Sequence, residues 1–226
     1  MDLEQFVENN KRKLPIFLLL DTIGSMSGEN ISVLNQSVRQ MVETFRSEHL
    51  SEVTIEICVI TFGGTAQVSN DLAPIDKFEY NDLRASGNTP LGGALRLARE
   101  IINDKERVTS KGYKPTIVLA SDGHPNDYGW ENELNIFLTD KRASKCERWA
   151  LTIGGDCNHQ MLSKFVQGST GKVFEATFAN QIAQFFKFVT MSTSVRAASQ
   201  NPNASINLDE IREQMDIDMP TYGIDL

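Results

Sequence analysis

The stretch Leu14-Pro15-Ile16-Phe17-Leu18-Leu19-Leu20-Asp21-Thr22-Ile23-Gly24-Ser25-Met26-Ser27-Gly28 decides the fold. An apolar run stops abruptly on a carboxylate, a turn of small residues follows, and an amphipathic pattern then begins. A strand buried on both faces reads as a continuous apolar run, and its end delivers polar groups to the rim of an α/β sheet. Ligands of such sheets bind outside the carboxyl ends of the strands.

Working outward, the segment from Glu29 carries Ile31, Leu34, Val38, Met41, Val42 and Phe45 at three- and four-residue steps, which predicts a helix to about Ser47. Val53 to Phe62 is β-branched and apolar, and Gly63-Gly64 turns it into a partner strand over Ala66 to Leu72, an antiparallel pair at a sheet edge. The loop Ala85 to Pro90 runs into a helix whose inner face is Leu91, Leu95, Ala98, Ile101 and Ile102, with Pro90 expected at the first helical position and Thr89 as its cap. Pro115 to Ala120 is a further core strand that ends on Ser121-Asp122-Gly123. A helix over Trp130 to Cys146, strands at Trp149 to Ile153 and Lys172 to Phe174, a short helix His159 to Phe165 and a last helix with Phe178, Ile182, Phe185, Phe186 and Val189 inward complete the pattern. Strands that alternate with helices predict a doubly wound, mostly parallel central sheet with one antiparallel edge strand and helices on both faces. The composition divides the chain into a polar lead-in over 1–13, a domain over 14–195 and a polar, acidic tail over 196–226, which could dock through Ile211, Met215, Ile217 and Met219.

The formal net charge is −8 and no Lys/Arg cluster stands out, so nucleic acid is not an expected partner. No apolar run approaches the roughly 20 residues of a membrane-spanning helix, so no membrane partner is expected. Cys58, Cys146 and Cys157 are sparse and without a CxxC pair, the usage of a reducing compartment; we expect a cytoplasmic protein without a signal peptide.

Three loops are expected at one rim. They offer Asp21, Ser25 and Ser27, then Thr89, then Asp122, all hard oxygen donors suited to Mg²⁺, Mn²⁺ or Ca²⁺. Taken singly, each has an ordinary structural use: Asp21 and Asp122 in turns, Ser25 and Thr89 as helix caps. Their joint occurrence after strand ends favours one shared site. His124, Asp127, Asp156 and His159 match no metal-ligand spacing and read as surface loops.

These motifs resemble a von Willebrand factor A domain over roughly Leu14 to Val195. The resemblance rests on Asp21-x-x-x-Ser25 after an apolar strand, Thr89 in Gly87-Asn88-Thr89-Pro90-Leu91-Gly92, and Asp122 in Ala120-Ser121-Asp122-Gly123. Within that family the chain is most similar to the bacterial tellurium-resistance TerY-like group, through Arg12-Lys13-Leu14-Pro15, Ser86 to Leu95 and Phe188 to Ser192. The resemblance implies a metal-ion-dependent adhesion site built from Asp21, Ser25, Thr89 and Asp122. It also implies a non-enzymatic module, serving bacterial stress resistance, whose Mg²⁺ bridges to an acidic side chain of a protein partner. The DxSxS motif of that site is broken here, because Ile23 stands at the middle serine. Two readings follow: the site is metal-free and the fold is reused for protein contact, or water replaces the missing hydroxyl and binding is weaker. The rival class is a phosphoryl-transfer enzyme with Asp21 as nucleophile, of the haloacid dehalogenase type. It lacks the second Asp two positions later that would protonate a leaving group, since Ile23 is there too.

Overall fold

The computed structural model describes residues 11–48, 50, 52–87, 89–122, 124–154, 157–199, 208–215 and 219–222. The strands are β1 (Arg12–Asp21), β2 (Val53–Gly63), β3 (Thr65–Pro74), β4 (Thr116–Ser121), β5 (Glu147–Ile153), β6 (Val173–Ala176) and β7 (Thr221–Tyr222). The helices are α1 (Glu29–Ser47), α2 (Leu91–Asn103), α3 (Trp130–Thr139), α4 (His159–Val166), α5 (Ala179–Ala198) and α6 (Leu208–Gln214). One sheet runs in the order β3-β2-β1-β4-β5-β6-β7. β1 pairs in parallel with β2 and β4, and β5 pairs in parallel with β4 and β6. β3 is the antiparallel edge strand expected from the Gly63-Gly64 turn, and the two-residue β7 adds an antiparallel pair on β6.

The unbroken apolar run of β1 is explained by what covers it. Ile16, Leu18 and Leu20 enter one core with Leu34, Val38, Met41 and Phe45 of α1 and Ile182, Phe185 and Phe186 of α5. Phe17 and Leu19 enter the opposite core with Leu91, Leu95 and Ala98 of α2, Phe137 of α3 and Phe165 of α4. Successive side chains of a strand point to opposite faces, so a strand with two cores has no polar positions to spare.

Part of the tail joins this body. Ile211 of α6 and Met219 are buried in the first core, Met215 packs against it, and Ile217 lies outside the described residues. Three sequence expectations change. α3 ends at Thr139 rather than Cys146, because the Asp140 carboxylate accepts the N–H groups of Arg142 (2.9 Å) and Ala143 (2.8 Å) and turns the chain. β1 begins at Arg12, within the stretch read as the polar lead-in over 1–13. Phe178 does not join the core face of α5; it precedes the helix and is 69% exposed. The three cysteines are buried and none is disulfide-bonded.

Arg148 of β5 is 1% exposed. Its Nε donates to the Phe165 carbonyl (2.7 Å), Nη1 to those of Ser144 (2.7 Å) and Cys146 (2.9 Å), and Nη2 to that of Gln167 (2.6 Å). One guanidinium thus satisfies carbonyls at the C-terminal end of α4 and in the turn before β5. Burial holds its pKa below the usual arginine value. Replacing it by Ala would strip several buried carbonyls of their donors, at a cost of about 1–3 kcal/mol for each acceptor left unsatisfied. We predict that Arg148→Ala lowers the urea midpoint by the equivalent of roughly 3 kcal/mol or more with little change in the denaturant slope, measured by circular dichroism.

Candidate functional site

The parallel register brings two carboxylates to one edge. Leu20 of β1 stands level with Ala120 of β4, so Asp21 and Ser121 follow side by side. The Ser121 hydroxyl donates to Asp21 Oδ2 at 2.7 Å, and the Ile23 amide donates to Asp21 Oδ1 at 3.1 Å. Asp21 is completely buried. Burial pushes its pKa up from 3.8 to about 7; the Ser121 hydrogen bond opposes this and the neighbouring Asp122 charge adds to it, while the Ile23 and Asp122 amides lower it. Asp122 is half-buried and its pKa is also raised by burial, with the Ser25 side chain favouring the charged form. Its Oδ1 is buried without a hydrogen-bond partner among the described residues. Ser25 lies in a short 3-10 turn, Gly24–Met26, and is exposed. Asp21, Ser25 and Asp122 therefore form one interacting group.

Thr89 is 2% exposed and belongs to the next loop. Its amide donates to Asn126 Oδ1 (3.1 Å), and the Asn126 amide donates to the Thr89 carbonyl (3.2 Å). This reciprocal pair ties Thr89 to the loop that carries Asp122. The expected capping role of Thr89 is not what α2 uses. Pro90 occupies the cap position rather than the first helical one, and no side-chain cap is made there. The N-terminal turn of α2 is served from another loop: Asp127 Oδ2 accepts the Gly93 amide at 3.3 Å, where a carboxylate also complements the helix dipole. The sequence reads Asp127 as a surface-loop residue and singles out nothing at Asn126. Only their spacing after Asp122 could have hinted at these links.

The first two loops are joined through main chain. The Ser86 amide donates to the Thr22 carbonyl (2.5 Å). A Cβ on Gly63 would lie 2.5 Å from the Thr22 carbonyl oxygen and 2.6 Å from that of Ser86; one on Gly87, whose φ is +77°, would lie 2.4 Å from Gly64. Only glycine fits either position. Ile23 is partly buried and packs against the core that α1 covers. Its branched side chain packs on that core and supplies no oxygen. Among the described residues, no three His, Cys, Asp or Glu side chains group around a common point.

The chain matches the von Willebrand factor type A domain over residues 16–188, well over half its length, and it belongs to that family. Members are protein-interaction modules, generally without enzymatic activity, that carry a metal-ion-dependent adhesion site. No curated protein matches it. Among solved structures it is similar to a von Willebrand factor type A protein from Catenulispora acidiphila, with TM-score 0.61, 16% identity, and coverage of 80% of this chain and 42% of that one. Proximal thread matrix protein 1 from the mussel byssus, with a zinc-occupied MIDAS motif, gives TM-score 0.59 and 17% identity over 83% of this chain and 47% of that one. The PilB minor pilin of Streptococcus sanguinis gives 0.57 and 14% over 81% and 61%. At these identities the likeness is one of fold. The chain spans less than two thirds of each of these relatives. No helix among the described residues is long and apolar enough to cross a membrane.

A carboxyl whose pKa is raised on folding makes the folded chain bind more protons than the unfolded one between the two values. The stability it contributes is fully present below about pH 4 and is lost as pH rises through about 7. Asn at position 21 cannot undergo that loss. We predict that, in chelator, the stability of Asp21→Asn relative to the parent chain rises between about pH 4 and pH 7, read from urea midpoints across that range.

Proposed function

We propose that the chain is a binding module, acting as an adaptor, that engages an acidic side chain of a protein partner at Asp21, Ser25, Thr89 and Asp122. The observation that carries this reading is the buried, unpartnered Oδ1 of Asp122 beside a second carboxyl that burial has made hard to ionise. Two such carboxyls side by side are unfavourable alone and favourable around a cation. The donor set is all hard oxygen, which fits Mg²⁺, with Mn²⁺ or Ca²⁺ as substitutes. A bound cation would supply an open position for the partner's carboxylate. Ile23 removes one oxygen from that set, so we propose water in its place and weaker binding. The residues of the chain divide the work. Asp21 would supply a buried carboxyl oxygen from beneath, fixed by Ser121. Ser25 is exposed beside it and Asp122 is half-buried. Thr89 is kept in place by Asn126.

The overall charge of −8 sharpens the role of the cation, since an acidic partner approaching this chain meets net repulsion. The setting of Asp21 favours gripping over phosphoryl transfer: its carboxyl is fully buried, and both oxygens already accept hydrogen bonds. The TerY-like resemblance supports a place in bacterial stress resistance, and three buried cysteines without a disulfide support a reducing, cytoplasmic setting.

Titration calorimetry with Mg²⁺ and Mn²⁺ tests the site. We expect weak binding to this chain and about tenfold tighter binding to Ile23→Ser, since one recovered oxygen contact is worth about 1.4 kcal/mol. Equal affinity in both would refute the assigned role of Ile23. In a pull-down, Thr89→Ala and Asp122→Ala are each expected to lose partner capture; capture unchanged in both would remove the rim from the interface.

A further inference from the structure

Two aromatic side chains stand in solvent at the same rim. Tyr128 is fully exposed and Phe178 is 69% exposed. Burying an aromatic side chain of this size stabilises a fold by roughly 2 kcal/mol, and neither residue takes that gain. Neither is on a loose segment. Asn126 and Asp127, just before Tyr128, are hydrogen-bonded to Thr89 and Gly93, and Trp130, just after it, packs against the core under α2 and α3. Phe178 follows β6 directly. The Gln181 side-chain oxygen accepts its amide (2.9 Å) and that of Thr177 (2.8 Å). The backbone on each side is held, so each ring is held outward.

Their positions flank Asp122. Tyr128 lies on the loop that connects Asp122 to the start of α3, next to Asp127, which reaches Gly93 of α2 where that helix lies against Ala66 of β3. Phe178 lies beyond the end of β6, and the register sets Ser121 level with Thr152 and Ile153 level with Ala176. Phe178 is therefore two strands from Asp122, a distance on the order of 10 Å at about 4.8 Å per strand. Rigid aromatic side chains are the commonest anchors of protein interfaces, and they work beside a polar contact that fixes orientation.

We propose that Tyr128 and Phe178 are the apolar anchors of the partner site, and that the partner is an extended peptide segment whose Asp or Glu is flanked by apolar side chains. This rests on the rim reading of the previous subsection. An extended chain advances about 3.3 Å per residue, so a span on the order of 10 Å places an apolar side chain about three residues from the acid. A cation held by the oxygen cluster would bind the carboxylate, and the two rings would read its neighbours.

The test is selection of a random-peptide phage library on the full chain in Mg²⁺, followed by fluorescence anisotropy with the enriched peptides. We expect an acidic residue with apolar residues within about four positions, and about tenfold or more loss of affinity in Tyr128→Ala and in Phe178→Ala. Tyr128→Phe should retain binding, and Asp122→Ala should abolish it. Acidic peptides with no apolar preference, bound by both Ala variants as well as by the parent, would overturn the anchors and leave the rim reading intact. Peptides without a carboxylate, bound equally by Asp122→Ala, would overturn the rim reading and this proposal with it. Enrichment of no sequence would also count against the anchors.

Discussion

The 2.7 Å hydrogen bond from Ser121 to Asp21 is the interaction on which the rest of the rim depends. It joins the ends of β1 and β4 side chain to side chain, across strands already in parallel register. A buried carboxyl needs partners for both oxygens, and Asp21 finds them in Ser121 and in the Ile23 amide. The second of these partners fixes the start of the turn that carries Ser25. The first fixes the residue before Asp122. One buried acid thereby sets the direction of two loops that are a hundred residues apart in the chain.

A third loop is added by a different device. Thr89 is placed by backbone hydrogen bonds with Asn126, and α2 receives its N-terminal carboxylate from Asp127. The segment after β4 therefore does two structural jobs within a few residues of Asp122, and the same segment holds Tyr128 outward. This concentration of constraint makes the rim a preorganised surface, with little conformational entropy left to lose when a partner binds.

Most of the fold was legible because the signals were periodic or abrupt. The run Leu14 to Leu20 could only belong to a strand with two cores, and the two cores are there. α1 was legible to the residue, since its apolar face repeats without interruption from Ile31 to Phe45. What escaped the sequence was whatever depended on side chains from elsewhere. Asp140 ends α3 early by capturing two amides, and nothing in the local periodicity announces it. The start of α2 read as a Thr cap because Thr-Pro is a common local solution, whereas the carboxylate that serves it comes from another loop. Phe178 read as core from helical spacing, but it stands just before the helix, where that spacing no longer governs the side chain. For the candidate site, residue types and order were legible. The pairing of Asp21 with Ser121 and the inward packing of Ile23 were matters of register and burial that only coordinates reveal.

The close approach of Gly63 to Thr22 and to Ser86 has a consequence for how such a module can diversify. The three segments meet at main-chain atoms and the Thr22 hydroxyl, with no room for a further side chain between them. Their mutual placement is thus indifferent to the identity of outward-facing neighbours such as Ser86 and Arg84, both exposed. A lineage can rewrite those outer positions, and with them its choice of target, while the scaffold beneath keeps its shape.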